Sequence, residues 1–299
     1  MKLQLPKKTV LAFAVILGGL FFQKGFLTSG EEISMFHWNI SLGGDGEENL
    51  PVRDQIPRAK IKAPIKRFRF LKAQVDLKWD VPYTASELET AASILQQPLY
   101  FLGSGRQCYA FVTEDDQFVV KISRKKRESR KESDFFKYLN AFQLLSYESQ
   151  IVFLHLTSAH QLSTSLKIVD DLGISHSFQA DDLVFYIQKK LTPFSSCFSS
   201  FSHLETRVLV DDLLNLCLDT CRKSVEMHDI DWTNIGCRQG KCFWLDVGGI
   251  HKMEPVPHLE EQKLAFMRVV ARIKRRGQAL DPNFASLIEE MLPEKLEQF

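Results

Sequence analysis

The stretch that decides the fold is Met227-His-Asp-Ile-Asp-Trp-Thr-Asn-Ile-Gly236, which continues through a short hairpin into Phe243-Trp-Leu-Asp-Val-Gly-Gly249. Taken singly, each segment is typical of a plain turn, because aspartate, asparagine and glycine are common turn residues. Taken together, they bring Asp229, Asn234 and Asp246 within 18 residues of chain. Carboxylate and amide oxygens are the ligands that magnesium prefers in proteins.

A second informative stretch, residues 99–122, lies well upstream. It predicts three short strands, with Gly103 and Gly105 in the first connection and Lys121 on the third strand. The two glycines let the backbone approach a phosphate closely, and the lysine would meet it as a point charge. A Gly-x-Gly pair alone is a weak signal, since any hairpin tolerates glycines. A lysine within an apolar strand is rarer, because a buried ammonium needs a partner.

The order and intervals of these elements resemble the protein-kinase-like superfamily over about residues 99–249, half of the chain. The matched positions are Gly103 and Gly105 for the glycine-rich loop, Lys121 for the lysine of strand three, Asp229 for the catalytic aspartate, Asn234 for the metal-binding asparagine five residues later, and Asp246 for the aspartate of the DFG motif.

The resemblance implies an α+β fold with two lobes, and the apolar N-terminal run predicts a hydrophobic helix ahead of them. Residues 84–190 would form a small antiparallel β N-lobe, and residues 191–299 a reduced, mainly helical C-lobe. A full protein-kinase C-lobe does not fit, because only 53 residues follow Asp246 and no Ala-Pro-Glu motif occurs among them.

The resemblance also implies ATP and Mg²⁺ as cofactors, and transfer of the γ-phosphoryl group to a hydroxyl acceptor that the sequence does not identify. Lys121 would hold the α- and β-phosphates, and Asp229 would orient the acceptor hydroxyl and accept its proton. Asn234 and Asp246 would supply oxygen ligands to the magnesium.

Lys121 needs an anion to fix its ammonium group. The helix predicted after the third strand offers Glu128 and Glu132. We choose Glu132, because it precedes the apolar positions Phe135 and Phe136 that would dock on the sheet.

Departures from the family pattern favour a second function, a pseudokinase that acts as a nucleotide-responsive or structural module. Cys108 replaces the third glycine of the loop, and Met227-His228 stands where the family has His-Arg or His-Gly. The presence of Lys121, Asp229 and both metal-binding residues favours an active kinase instead.

The pattern around the two clusters predicts several further elements. A capping box at Ser86 and Glu89 predicts a helix over residues 86–97, and residues 166–169 and 183–187 are predicted as the fourth and fifth strands. Gln188-Lys-Lys190 would be the hinge that offers backbone hydrogen bonds to adenine. Further helices are predicted over residues 208–221, 259–276 and 282–291, with Pro293 opening a last turn.

Residues 1–30 have the pattern of a membrane anchor or a signal segment. Lys2, Lys7 and Lys8 precede an uncharged run over residues 9–22, and no Ala-x-Ala cleavage site follows. We favour an uncleaved anchor, which makes the protein membrane-attached. The basic leader places the N-terminus in the cytoplasm and the domain outside, which leaves the supply of ATP open.

Residues 31–83 are predicted to be a linker that contains a basic and apolar stretch. Residues 58–72 hold seven basic residues and no acidic one: Arg58, Lys60, Lys62, Lys66, Arg67, Arg69 and Lys72. Two interpretations stay open. The stretch contacts anionic lipid, or it forms an edge strand that packs one face on the domain while its basic side chains stay in water.

Composition excludes some classes of protein. Apolar residues make up 44% of the chain, which is typical of a globular protein, and the formal net charge of +1 gives no field that would recruit nucleic acid. The six cysteines show no zinc-site spacing. Cys237 and Cys242 flank a predicted hairpin turn, so a cross-strand disulfide is sterically feasible, but we favour free thiols.

Overall fold

The computed structural model describes residues 68–73, 76–125, 131–158, 162–199, 202–254 and 257–299. The predicted N-terminal hydrophobic helix and most of the linker lie outside these residues. Within the described ranges, no helix is both long enough and apolar enough to cross a membrane.

The described chain is α+β and contains one large mixed sheet. Its strands are β1 (Leu99–Ser104), β2 (Cys108–Thr113), β3 (Phe118–Ser123), β4 (Ile151–His155), β5 (Ser165–Val169), β6 (Ser175–Gln179) and β7 (Phe185–Lys189). They lie in the order β4-β7-β3-β2-β1-β5-β6. Neighbouring strands are antiparallel except β1 and β5, which are parallel.

The sheet corrects two sequence predictions. The predicted small antiparallel sheet is instead seven-stranded and mixed. Residues 166–169 do form a strand, but β5 adds to the free edge of β1, and the fourth-strand position beside β7 belongs to β4. The sequence analysis missed β4 because its run Ile-Val-Phe-Leu-His is short and has no turn signal that sets its partner.

The helices cover the sheet and fill the second half of the chain. They are α1 (Ala85–Gln96), α2 (Lys131–Leu144), α3 (Ser146–Ser149), α4 (Phe194–Ser199), α5 (His203–Arg222), α6 (Leu259–Gly277) and α7 (Phe284–Glu297). The predicted helices over 86–97, 208–221 and 259–276 are thus confirmed, with small shifts of their ends.

Two helix ends differ from the predictions. The capping box of α1 uses Thr84 and Glu87 in place of Ser86 and Glu89, so the helix begins earlier. Pro293 lies inside α7 and does not open a separate turn. Burial of Met291 and Lys295 on either side of the proline keeps the helix continuous despite the backbone hydrogen bond that proline cannot donate.

The large sheet separates two apolar clusters, because its side chains alternate between the faces. Phe185 and Ile187 of β7 point into a cluster with α1, whereas Tyr186 between them points into the larger cluster that includes α2, α5, α6 and α7. The residues that carry chemistry on β3 and β7 therefore face the second half of the chain.

The described end of the basic stretch favours the edge-strand interpretation for those residues. Leu71 is buried, and its backbone bonds to Ser123 and Val184. Phe68 and Phe70 stack on each other, with ring centroids 5.4 Å apart, while the side chains of the intervening and following basic residues are exposed. Residues 58–67 lie outside the described part, so lipid contact there stays a prediction.

Two smaller sheets carry the loops of the site. Their strands are β8 (Thr192–Pro193), β9 (Val225–Met227), β10 (Ile235–Arg238), β11 (Lys241–Trp244) and β12 (Ile250–Lys252). The β10–β11 hairpin turns at Gln239 and Gly240, which both have positive φ, as a type I′ turn requires. Cys237 and Cys242 face each other across this hairpin as free thiols.

Candidate active site

The loop from β9 to β10, residues 228–234 (the Asp229 loop), carries two of the predicted residues. The side-chain amide of Asn234 donates to the main-chain oxygen of Asp229 over 3.1 Å, and the Asn234 N–H donates to the Asp231 oxygen over 2.9 Å. These bonds curl the loop so that Asp229 is exposed beside Asn234.

The loop after β11, residues 245–249 (the Asp246 loop), lies directly against the Asp229 loop. The Asn234 main-chain oxygen accepts hydrogen bonds from the N–H groups of Leu245 and Asp246, at 2.8 and 3.2 Å. Asp246 also accepts from the Gly248 N–H at 2.8 Å, which tightens the turn. The structure therefore brings the main chains of Asn234 and Asp246 together.

Gly249 is a second point of close approach between the two loops. Its oxygen accepts from the His228 N–H at 2.9 Å, and a Cβ at Gly249 would lie 2.7 Å from the Cβ and the N of Asp229. Real Cβ contacts of that length do not occur, so only glycine allows this approach.

Lys121 reaches the same place from β3. Its Nζ donates to the main-chain oxygen of Leu245, the residue before Asp246, and lies 5.6 Å from the centroid of the Tyr186 ring. Burial lowers the pKa of Lys121, and the negative charge of Asp246 opposes that effect. Four of the predicted residues, Lys121, Asp229, Asn234 and Asp246, are thus grouped.

Gly103 lies within β1, paired with Ala110 of β2, so of the two predicted glycines only Gly105 lies in the β1–β2 connection. A Cβ at Gly103 would meet no atom within 4 Å, so neighbouring side chains do not require a glycine there. Arg124 donates to the Gly105 oxygen at 2.8 Å and fixes the loop at one point. The side chain of Gln107 then reaches over to Gly248, where a Cβ would lie 2.6 Å from the Gln107 amide. The loop accordingly covers the Asp246 loop.

Cys108 stands in place of the third glycine of the predicted glycine-rich loop, and the fold accommodates its side chain. The Cys108 Sγ lies 3.3 Å from the hydroxyl of Tyr138 on α2. Burial raises the pKa of Cys108, so the thiol is neutral.

Glu132 is not placed as predicted. Its carboxylate pairs with Lys78 Nζ at 2.8 Å, and its side chain is exposed. The α2 face that packs on the sheet carries Phe135 and Tyr138 instead. The charged group that acts on Lys121 is Asp246.

The predicted hinge also needs a correction. The N–H of Lys189 donates to the Gln150 oxygen at 3.0 Å, and the N–H of Lys190 donates to the Gln117 oxygen at 2.8 Å. Gln188 is buried and donates through its side chain to the oxygens of Ser149 and Trp244, at 2.6 and 3.0 Å. The Lys189 and Lys190 amides are thus used within the fold, so they are not available to an adenine ring in this arrangement.

The donor set at the site suits magnesium. Among the described residues no cluster of three or more histidine, cysteine, aspartate or glutamate side chains could hold a metal ion. The site instead offers one carboxylate, Asp246, and one amide oxygen, Asn234. This pair fits Mg²⁺, which commonly keeps several waters and binds phosphate oxygens besides one or two protein ligands.

Sequence analysis missed the charged residues that support the Asp229 loop. The buried carboxylate of Glu226 accepts from Arg268 at 2.6 Å and from Arg272 at 3.1 Å. Farther along the loop, Arg276 contacts Asp231 at 3.2 Å. The signal that could have found them is the four-residue spacing of the arginines on a strongly amphipathic helix.

Comparison with protein-family models finds no match, and no curated protein matches this sequence at a significant level.

Proposed function

We propose that this chain is a kinase-like phosphotransferase that binds ATP and magnesium in a two-lobed fold and transfers the γ-phosphoryl group to a hydroxyl acceptor. The observation that carries the proposal is the meeting of two loops and a strand. Asn234 binds the backbone of the Asp246 loop, and Lys121 binds the residue beside Asp246.

Each residue has a distinct part in the proposed reaction. When bound, magnesium neutralises charge on the phosphates. Asn234 and Asp246 would hold it, and Lys121 would hold the phosphate oxygens as a point charge. Asp229 is exposed, so its carboxylate can orient an acceptor hydroxyl and take its proton. Gly103, which no neighbouring side chain crowds, leaves space for a phosphate near the backbone.

A thermal-shift experiment tests nucleotide binding. ATP with magnesium at about a hundredfold over its Kd should stabilise the fold by about 2.7 kcal/mol, a rise in Tm of roughly 5–10 °C for a domain of this size. Asp246→Ala should remove the magnesium-dependent part, and Lys121→Ala should weaken binding with or without metal. Asp229→Ala should keep the shift and lose transfer. Lys167→Ala, an exposed lysine on β5, is the matched control and should behave as wild type.

The second candidate function is a pseudokinase that serves as a binding module. Two contacts favour it. Glu132 pairs with Lys78, and the Gln107 side chain lies against Gly248, so neither side chain is placed as a triphosphate site would require. A wild-type protein with no Tm shift for any nucleotide, with or without magnesium, would leave this function standing alone. A shift without measurable ATP turnover would favour a nucleotide-responsive form of it.

We also propose that residues 1–30 attach the protein to a membrane without being cleaved. The basic leader and the uncharged run support this. Full-length protein should then begin at Met1 and stay in the membrane fraction after a carbonate wash. Mature protein that begins near Glu31 would show a cleaved signal instead. Protease protection of intact membranes would determine the side on which the domain lies.

A further inference from the structure

Three arginines of α6 lie along β9 and the Asp229 loop that follows it. Arg268, Arg272 and Arg276 are four residues apart, so they share one side of the helix, here called the arginine face. Arg272 donates to the Met227 oxygen at 2.9 Å, and Arg276 contacts the Asp231 carboxylate at 3.2 Å. Met227 and Asp231 are two residues before and two residues after Asp229.

The arginine face carries more positive charge than its fold contacts neutralise. Glu226 lies between Arg268 and Arg272, and Asp231 pairs with Arg276, so two carboxylates face three guanidinium groups. The side chains of Arg268 and Arg276 are 52% and 50% exposed, so their remaining N–H groups are open to solvent. Ion pairs that only stabilise the fold do not require more guanidinium groups than carboxylates.

Two histidines extend the same surface beside Asp229. His228 is half exposed and stacks on His251, with ring centroids 4.9 Å apart. Burial lowers the pKa of His228 against the opposing effect of Glu226, which favours the neutral imidazole. Lys252 adds a cation on β12 but is paired with Glu254 at 2.7 Å.

We propose that the arginine face binds a phosphate group of the acceptor, so that the acceptor is a phosphate-bearing alcohol. The inference rests on the proposed phosphotransferase function. A guanidinium fork matches two phosphate oxygens, which a point charge does not. Two residues of chain span at most about 7 Å, so the arginine contacts lie within reach of Asp229.

The transfer step balances with groups already named. The bond between the γ-phosphorus and the β-phosphate oxygen of ATP breaks, and ADP leaves with that oxygen. A bond forms between the γ-phosphorus and the acceptor oxygen, and the proton of the acceptor hydroxyl passes to the Asp229 carboxylate. The phosphate on the arginine face is not altered and only positions the acceptor.

Binding of glycerol 3-phosphate and of glycerol to the full-length protein in detergent, measured by calorimetry without nucleotide, tests this inference. Glycerol 3-phosphate should bind and glycerol should not. Arg268→Gln and Arg276→Gln should each weaken binding about three- to tenfold. Arg207→Gln is the matched control, because the half-exposed Arg207 of α5 also forms an ion pair, at 2.8 Å with Glu290 of α7. It should leave the affinity unchanged.

Two further variants separate binding from folding. Glu226→Gln removes a negative charge and should tighten glycerol 3-phosphate binding, whereas a purely structural network predicts no gain. If that variant does not fold, Arg268→Lys keeps the charge and loses the fork, so it should still weaken binding.

The source of the phosphate is identified by a parallel arm with vesicles that contain lysophosphatidic acid, a lipid that carries both a phosphate and a free hydroxyl. Binding to either source that depends on the arginine face supports the inference and assigns the source. ATP binding in the thermal-shift assay with no arginine-dependent binding of either probe overturns it and leaves the phosphotransferase proposal intact. Arginine-dependent binding without any ATP shift keeps the anion site and removes the kinase function.

Discussion

Replacing Gly249 with alanine is expected to displace Asp229 without touching the residues assigned to ATP. The new Cβ would lie 2.7 Å from both the N and the Cβ of Asp229, and ordinary contact begins at 3.4 Å. The two loops must therefore separate by about 0.7 Å, the difference between these distances. The hydrogen bond from His228 to Gly249, 2.9 Å long, resists that movement.

The size of the effect follows from this displacement. Overpacking of this kind typically costs about 1–3 kcal/mol, and each kcal/mol lowers the Tm of a domain of this size by roughly 2–4 °C. A misplacement of about 1 Å at a reacting group costs up to about 100-fold in rate. We therefore expect phosphoryl transfer to fall about 10- to 100-fold, while the shift of Tm with ATP and magnesium is retained.

The assay is ATP hydrolysis with water as acceptor, run beside the thermal shift. Gly248→Ala is the matched control: the atoms nearest its Cβ would be those at the end of the Gln107 side chain, at 2.6 Å, and the end of a flexible side chain gives way more readily than the backbone of Asp229. Its loss of rate should be several times smaller. Equal losses in the two variants, or a full rate in Gly249→Ala, would refute the idea that close packing positions Asp229.

Three other predictions use different measurements. Burial raises the pKa of Glu226, but the hydrogen bonds and charge of the arginines outweigh burial and lower the pKa below 4.5. The ionised Glu226 therefore stabilises the fold above that pH, and this stabilisation is lost as the pH falls below it. Between pH 5 and pH 3 the Tm of wild type should consequently fall more steeply than that of Glu226→Gln. Gln188→Leu should reduce the free energy of unfolding in urea by about 1–3 kcal/mol, because a buried oxygen of Trp244 loses its donor. Peptide mapping without reductant should find Cys237 and Cys242 as free thiols, and a linked peptide would contradict this.

The elements that sequence predicted well are those fixed by local signals. The β10–β11 hairpin follows from Gln239-Gly240, and α6 from apolar residues at helical spacing. Both patterns depend on residues that are close together in the sequence, so the element can be predicted without knowing the rest of the fold.

The elements that sequence misplaced depend on distant partners. The β5–β6 pair lies at the free edge of β1, and nothing in residues 165–179 specifies that edge over the one beside β7. The ion pair of Glu132 likewise depends on Lys78, 54 residues away. The helical spacing of apolar residues predicts which face of a helix packs on the sheet. It does not predict which distant side chain pairs with a charged residue in the first turn of that helix.

The sequence names side chains that lie at the candidate site, but it does not show how the fold positions them. The loops are held mainly through main-chain oxygens, those of Asn234, Leu245, Gly249 and Met227, which any residue type supplies. The Asp229 carboxylate takes no part in these bonds. Replacing it should consequently leave the loops in place, so a loss of transfer in Asp229→Ala would report on chemistry and not on folding.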